Sequence, residues 1–94
     1  MKLQYTNRAT SDLERLSVDN KQFGQAATAA LEECIRQVIA KIVGFPKAAE
    51  PIAHRPDMHV VPLVRYPYKI FYRTFENRVL ILHIRHSARK SWMI

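Results

Sequence analysis

The spacing of apolar positions changes character along the chain, and the changes mark out its elements. In KLQYT, Leu3 and Tyr5 alternate with Lys2, Gln4 and Thr6, the period-two pattern of a short strand. Beyond it the apolar spacing lengthens to three and four. Ala9, Leu13 and Leu16 form one helical stripe, Thr6 or Asn7 stands where an N-cap belongs, and Asp12 and Glu14 lie near the positive end. SVDNKQFG interrupts this pattern. Phe23, Ala27, Ala30, Leu31, Cys34, Ile35, Val38 and Ile42 then predict a second helix over about 22–43, stopped by Gly44 and Pro46. Ala26, Ala27, Ala29 and Ala30 are small enough to let the first helix approach closely, so the two helices read as a hairpin.

PKAAEPIAHRPD carries three prolines in twelve residues and reads as a surface connection. Three strands follow, over about 59–65, 68–75 and 78–86. Pro62 and Pro67 cannot donate ladder hydrogen bonds, which makes the first of these an edge or bulged strand. Glu76-Asn77 is a tight hairpin connection, with Asn77 able to adopt a positive φ. VLILHI is apolar at nearly every position, as expected of a central strand covered on both faces. The order is β-α-α-β-β-β, an α+β fold with the helical hairpin packed on one face of a small, mainly antiparallel sheet. With 94 residues, a single domain over 1–94 is expected.

Charge is unevenly distributed over this frame. Residues 1–50 carry seven Lys/Arg against six Asp/Glu, whereas residues 51–94 carry eight against two and all four histidines, within a net charge of +7. A basic half of this kind attracts polyanions: nucleic acid, a phosphate ligand or an acidic protein. A merely solvated basic surface is the plainer alternative. No apolar run approaches a membrane span, the amino-terminal residues lack the apolar centre of a secretory signal, and one cysteine, Cys34, fits a reducing compartment. Together these lead to the expectation of a cytoplasmic location without membrane attachment.

The densest candidate chemistry lies in YPYKIFYRTFENRVLILHIRHSARKSW. On the strand over 68–75, Tyr68, Ile70, Tyr72 and Thr74 share one face, while Lys69, Phe71, Arg73 and Phe75 share the other. If the helices cover one of these faces, the opposite face is left as a shallow concave surface. The strand end would then supply Arg85, His86 and Arg89, with Arg65 and Lys90 nearby and Trp92 as an anchor or stacking group. Clustered guanidinium groups grip phosphates or carboxylates bidentately. His83 and His86 are three apart and face opposite ways on a strand, so no metal site is expected, nor any cofactor. His83 reads as a hydrogen-bonded core histidine. There is no Walker loop, no G-x-S-x-G and no paired-carboxylate signature.

The element order, the run VRYPYKIFYRTFENRVLILHIRHSAR and the basic finish resemble the RelE/ParE superfamily of bacterial toxins, the toxic halves of type II toxin–antitoxin pairs often called plasmid stabilisation proteins. Two activities follow from that resemblance. ParE-like members inhibit DNA gyrase with no catalysis of their own. RelE-like members are ribosome-dependent mRNA endonucleases, in which cations stabilise the phosphate while the 2′-hydroxyl attacks. Lys69 and Arg89 fall where RelE-like enzymes hold arginines. Val60 and Pro62 fall where those enzymes hold paired lysines, and Met93 lies near the place of their late tyrosine or histidine base. A nuclease built on this chain would therefore draw on Lys69, Arg73, His86 and Arg89, or on Tyr72. Since a placed proton-transfer group is typically worth about 10²–10⁴-fold, the departures favour the ParE-like branch. A stand-alone basic nucleic-acid-binding module remains a third reading. The resemblance also implies an acidic ParD- or RelB-like antitoxin as partner, with operator DNA reached only through the complex. Arg65, Lys69, Tyr72, Arg73, Arg85, His86, Arg89, Lys90 and Trp92 are the residues expected to touch target or antitoxin.

Overall fold

The computed structural model describes residues 2–52 and 55–87. Strand β1, Lys2–Tyr5, leads into helix α1, Asn7–Asp19, and one turn of 3-10 helix at Lys21–Phe23 joins it to helix α2, Gly24–Gly44. Strands β2, Glu50–Ile52, β3, Arg55–Pro62, β4, Tyr68–Phe75, and β5, Arg78–His86, complete the described fold. The five strands form one sheet in the order β1-β5-β4-β3-β2. β1 runs parallel to β5, and the other neighbours are antiparallel. Both helices lie on one face, so this is an α+β fold with a mixed sheet.

Side chains of the first turns explain how α1 is tied down. The Thr6 hydroxyl accepts from the Ala9 N–H at 3.0 Å as an N-cap and donates to the Leu82 carbonyl at 2.8 Å. Asp12 accepts the Ile84 N–H at 3.0 Å. The β1 pairing register ends at Tyr5 opposite Ile81, so these two side chains serve the stretch of β5 edge that β1 leaves uncovered. Gly24, at φ 87, lets the chain turn from the 3-10 segment into α2 where a side chain would be strained.

The core sits between the helices and the sheet. Ala9 and Leu16 of α1 and Leu31, Ile35, Ile39 and Ile42 of α2 pack with Ile70, Tyr72, Val79, Ile81 and Ile84. Fully buried residues such as Ile70 and Ile81 each contribute about 1.5–3 kcal/mol through apolar transfer. Glu76 and Asn77 adopt φ 47 and φ 61, the paired left-handed conformation of a two-residue hairpin turn, as expected at Asn77.

Several expectations are corrected here. The proline-rich connection contains a strand of its own, β2, and β3 begins earlier than expected, at Arg55, and ends at Pro62 rather than 65. β3 is interior rather than an edge, the edge being β2, but β3 is bulged, which was the alternative expected: its pairing with β2 steps from Pro51–His59 to Ile52–Arg55 and leaves the extra residues on β3. Pro62 is tolerated because it stands last in its strand. The alanines at 26, 27, 29 and 30 are exposed rather than packed on α1, and Phe23 is 63% exposed. β5 is interior, beside the edge strand β1 rather than central, and it is not covered on both faces: Val79, Ile81 and Ile84 are buried, while Leu80 and Leu82 are only half-buried. Phe71 pairs with His83 and Tyr72 with Ile81, so Leu82 is the extra residue of a bulge. That bulge sets Leu82 and His83 in succession between the buried Ile81 and Ile84 and so breaks the alternation.

Candidate functional site

The sheet face turned away from the helices holds Lys69 and Arg73 of the expected cations. Because Ile70 and Tyr72 are buried under the helices, Lys69, Phe71 and Arg73 lie on the open face. Across β5, Lys69 stands opposite Arg85, Phe71 opposite His83, and Arg73 opposite Leu80. Across β3 the partners are Pro62, Val60 and Met58. At the other end of the face, Lys2 of β1 stands opposite Arg78. An apolar middle is thus bracketed by Lys69 at one end and Lys2 and Arg78 at the other, while Arg85, opposite Lys69 in register, lines a pocket with Asp12, Arg15 and Asp19 of α1.

Arg73 is committed within this face. Its Nε donates to Asp57 Oδ2 at 2.7 Å, and its guanidinium lies 5.3 Å from the Phe75 ring centre. The Arg73 hydrogen bond holds the Asp57 carboxyl below its usual range. Much of the positive potential expected of Arg73 is therefore answered internally.

The middle of the face is not bare. Phe71 is buried despite pointing away from the helices, its ring meeting the His83 imidazole edge-on at 6.5 Å. A cavity of about 410 Å³ adjoins it, lined by Thr6, Arg8, Ile52, Met58, Leu82 and His83. Burial lowers the His83 pKa, the Arg8 guanidinium adds to the effect, and Asp12 opposes it. His83 Nδ1 is buried without a hydrogen-bond partner. The expectation of a hydrogen-bonded core histidine is thus misplaced at His83. It fits His59, which is buried, stacked on Tyr72 at 5.0 Å, and 3.1 Å from the Ala49 carbonyl through Nδ1.

Other expected site residues are not brought to this face. Tyr72 is fully buried on the helix side and donates to the Pro46 carbonyl at 2.6 Å, and burial pushes its phenol pKa up. His86 stands opposite Tyr68 on that same side, the two rings 5.2 Å apart and edge-on. It lines a cavity of about 370 Å³ with Phe23, Leu31 and Tyr66. Arg65 is exposed in the bend between β3 and β4. Arg89, Lys90 and Trp92 lie outside the described residues. Among the described residues no three His, Cys, Asp or Glu side chains come together to hold a metal ion.

Two features of the surface were not anticipated. Arg8 reaches the open face from the start of α1; only the strand pairing, which the sequence does not display, brings position 8 beside position 83. An apolar groove of about 510 Å³ runs between α2 and the end of β3, lined by Val38, Ile42, Phe45, Val61 and Val64, with Lys41 at its border. Val64 is wholly exposed and Phe45 is 74% exposed. Two large exposed apolar residues beside Gly44 and the VPLV run were the available signal.

Comparison with known proteins places this architecture. The family model described as the ParE toxin of type II toxin-antitoxin system, parDE, matches residues 3–91. The fold is similar to a chain of the chromosomal ParDE system from P. aeruginosa, at 19% identity and a TM-score of 0.80, over 92% of this chain and 95% of that one. It is similar to a chain of the intact E. coli RelBE toxin–antitoxin complex, at 15% identity and a TM-score of 0.71, over 94% and 98%. A YoeB/ParE toxin from Agrobacterium tumefaciens matches at 22% identity and a TM-score of 0.67, over 92% and 98%. None of the curated proteins matches the sequence. The chain belongs to the ParE toxin family of type II toxin–antitoxin systems.

Proposed function

We propose that this ParE-family chain arrests bacterial growth in the cytoplasm by acting on DNA gyrase, and that an acidic antitoxin neutralises it. The observation that carries the reading is the ParE family match over residues 3–91. The placement of proton-transfer candidates supports it. Tyr72 lies on the helix side, away from Lys69, and so does not stand where a phosphate held by that cation would be cleaved; His86 lines a pocket with Arg85 beside α1, also off the open face. Lys69 marks the target-binding end of the open face in this reading.

The antitoxin reading draws on charge and shape. A chain of net charge +7 with a basic sheet face and an exposed apolar groove suits an acidic segment that folds as it binds, joining neutralisation to apolar burial. A second reading, ribosome-dependent mRNA cleavage, draws on His83, an imidazole held neutral beside Arg8 on the open face.

The deciding experiment is induced expression followed by two measurements, gyrase supercoiling with purified protein and mapping of mRNA ends in arrested cells. Inhibited supercoiling with SOS induction and intact mRNA is expected. Codon-positioned mRNA cleavage without gyrase inhibition overturns the gyrase reading and moves the site to His83 and Arg8. Replacing Lys69 by alanine is expected to weaken growth arrest while the protein stays folded. Unchanged arrest would remove Lys69 from the target site.

A further inference from the structure

We propose that the trough across the open face of the sheet is a binding site for one unpaired nucleotide of a single-stranded nucleic acid. Its base lies along the apolar floor beside His83, and its phosphate rests on Arg8. The inference goes beyond the gyrase reading and does not depend on which target the toxin acts on.

The trough has a volume of about 410 Å³, within the roughly 300–1,000 Å³ of small-ligand sites. It crosses the sheet from Ile52 of β2, past Met58 of β3 and Phe71 of β4, to Leu82 and His83 of β5. Arg8 borders it at the β5 end. Lys69 stands apart from it, opposite Pro62, so this is a second location on the face. Ile52, Met58 and Leu82 are half-buried and Phe71 is buried, which makes most of the lining apolar.

Polar chemistry enters at one end only. His83 Nδ1 is buried without a partner, and a buried ring nitrogen left in that state is destabilising until something answers it. Burial also keeps the imidazole toward its neutral form, in which one ring nitrogen is an acceptor. Arg8 is 55% exposed and meets Asp12 only through Nε, at 3.6 Å, which leaves its terminal amino groups to take an anion. The Thr6 hydroxyl is already engaged, accepting from the Ala9 N–H and donating to the Leu82 carbonyl. The site therefore asks for a flat apolar body, a donor for His83 and an anionic group for Arg8. A nucleotide carries all three. A base paired in a duplex has its edge occupied and its faces stacked, so the ligand is an unpaired one. Lys2 and Arg78, opposite each other on this face, and Lys69 at its other end give neighbouring phosphates cations on either side. An acidic peptide would satisfy Arg8 and leave the apolar floor uncovered.

The test uses the full-length toxin and a labelled DNA strand of about eight nucleotides, a length suited to such grooves. The same sequence as RNA and as a DNA duplex completes the set. Fluorescence anisotropy reads affinity, and NMR reads the Met58 methyl and the His83 ring. Both single strands should bind at low salt and shift those two signals, whereas the duplex should not. Tighter binding of RNA would add a contact to the 2′-hydroxyl, and equal binding would leave base and phosphate as the ligand; either result supports the site. Arg8→Ala should weaken single-strand binding about tenfold and lower the salt slope by about one. Lys41→Ala removes the same charge from the helix side and should leave affinity nearly unchanged. Ile52→Trp fills the trough from the edge strand without altering charge and should also weaken binding. The proposal is overturned if Lys41→Ala costs as much as Arg8→Ala, if Ile52→Trp binds like wild type, or if neither NMR signal moves. A duplex or a poly-glutamate chain that shifts both signals equally would make the trough a general anion site, which overturns the nucleotide assignment too.

Discussion

Tyr72→Phe separates a structural hydroxyl from a catalytic one. The ring is fully buried and stacks on His59, and the hydroxyl reaches the half-buried Pro46 carbonyl at 2.6 Å. Phenylalanine keeps the ring and its packing and deletes a single hydrogen bond. A net intramolecular hydrogen bond contributes about 0.5–1.5 kcal/mol, and leaving the carbonyl without its donor pushes the cost toward the upper part of that range, so a loss of about 1 kcal/mol is expected. In urea, with an m-value of about 1 kcal/mol per molar, the midpoint should fall by about 1 M with m unchanged. The melting temperature should fall by about 4–8 °C. Growth arrest, titrated against expression level, should be unaffected. Tyr72→Ala would confuse the result, because removing the whole ring costs about 3–5 kcal/mol out of a total near 5–15. If Tyr72→Phe abolishes growth arrest with the urea midpoint unmoved, the hydroxyl acts on the target and the assignment of faces is wrong.

Glu76 adopts φ 47 at the first turn position between β4 and β5. Glu76→Gly should raise stability by up to about 1 kcal/mol in thermal melts, and a loss would show that the side chain itself is holding the turn. Asp57→Asn should release Arg73 and delay elution from heparin to higher salt; unchanged elution would mean that Arg73 does not face the polyanion. The same carboxyl, lowered below its ordinary pKa of 3.8, adds stability above that value, and this is lost as pH falls through the folded-state pKa. His83 is neutral-favouring in the fold relative to its ordinary 6.5, so the unfolded chain takes up the proton first. Stability should therefore decline as pH drops from 7 toward 5, and His83→Gln should flatten that slope in urea midpoints measured at each pH.

Local chemistry was legible in the sequence, and pairing partners were not. The two helices, the Thr6 cap and the left-handed Asn77 follow from spacing and side-chain type, which act within a few residues. The division of β4 into two faces followed from alternation, whereas which of them the helices cover did not. β2 stayed hidden because Pro51 and Ile52 lack a period long enough to read and exist as a strand only through β3. Arg73 looked available because Asp57 lies sixteen residues away and is brought in by the β3–β4 register. Tyr72 carried the right functional group on the wrong side, and His86 followed it, since the bulge at Leu82 resets which β5 residues share a face. The exposed alanines of α2 mark the limit of small-residue patterns, which permit close approach without supplying a partner.

The parallel pairing of β1 with β5 imposes an order on assembly. The β4–β5 hairpin closes over a two-residue turn, whereas β1 must wait for its neighbour until both helices and four further strands have emerged from the ribosome. By loop-closure entropy alone, bringing β1 to β5 costs about 3 kcal/mol more than forming that hairpin. The amino-terminal arm is thus the last piece to zip up during synthesis, and until it does the flank of β5 that it covers stays bare.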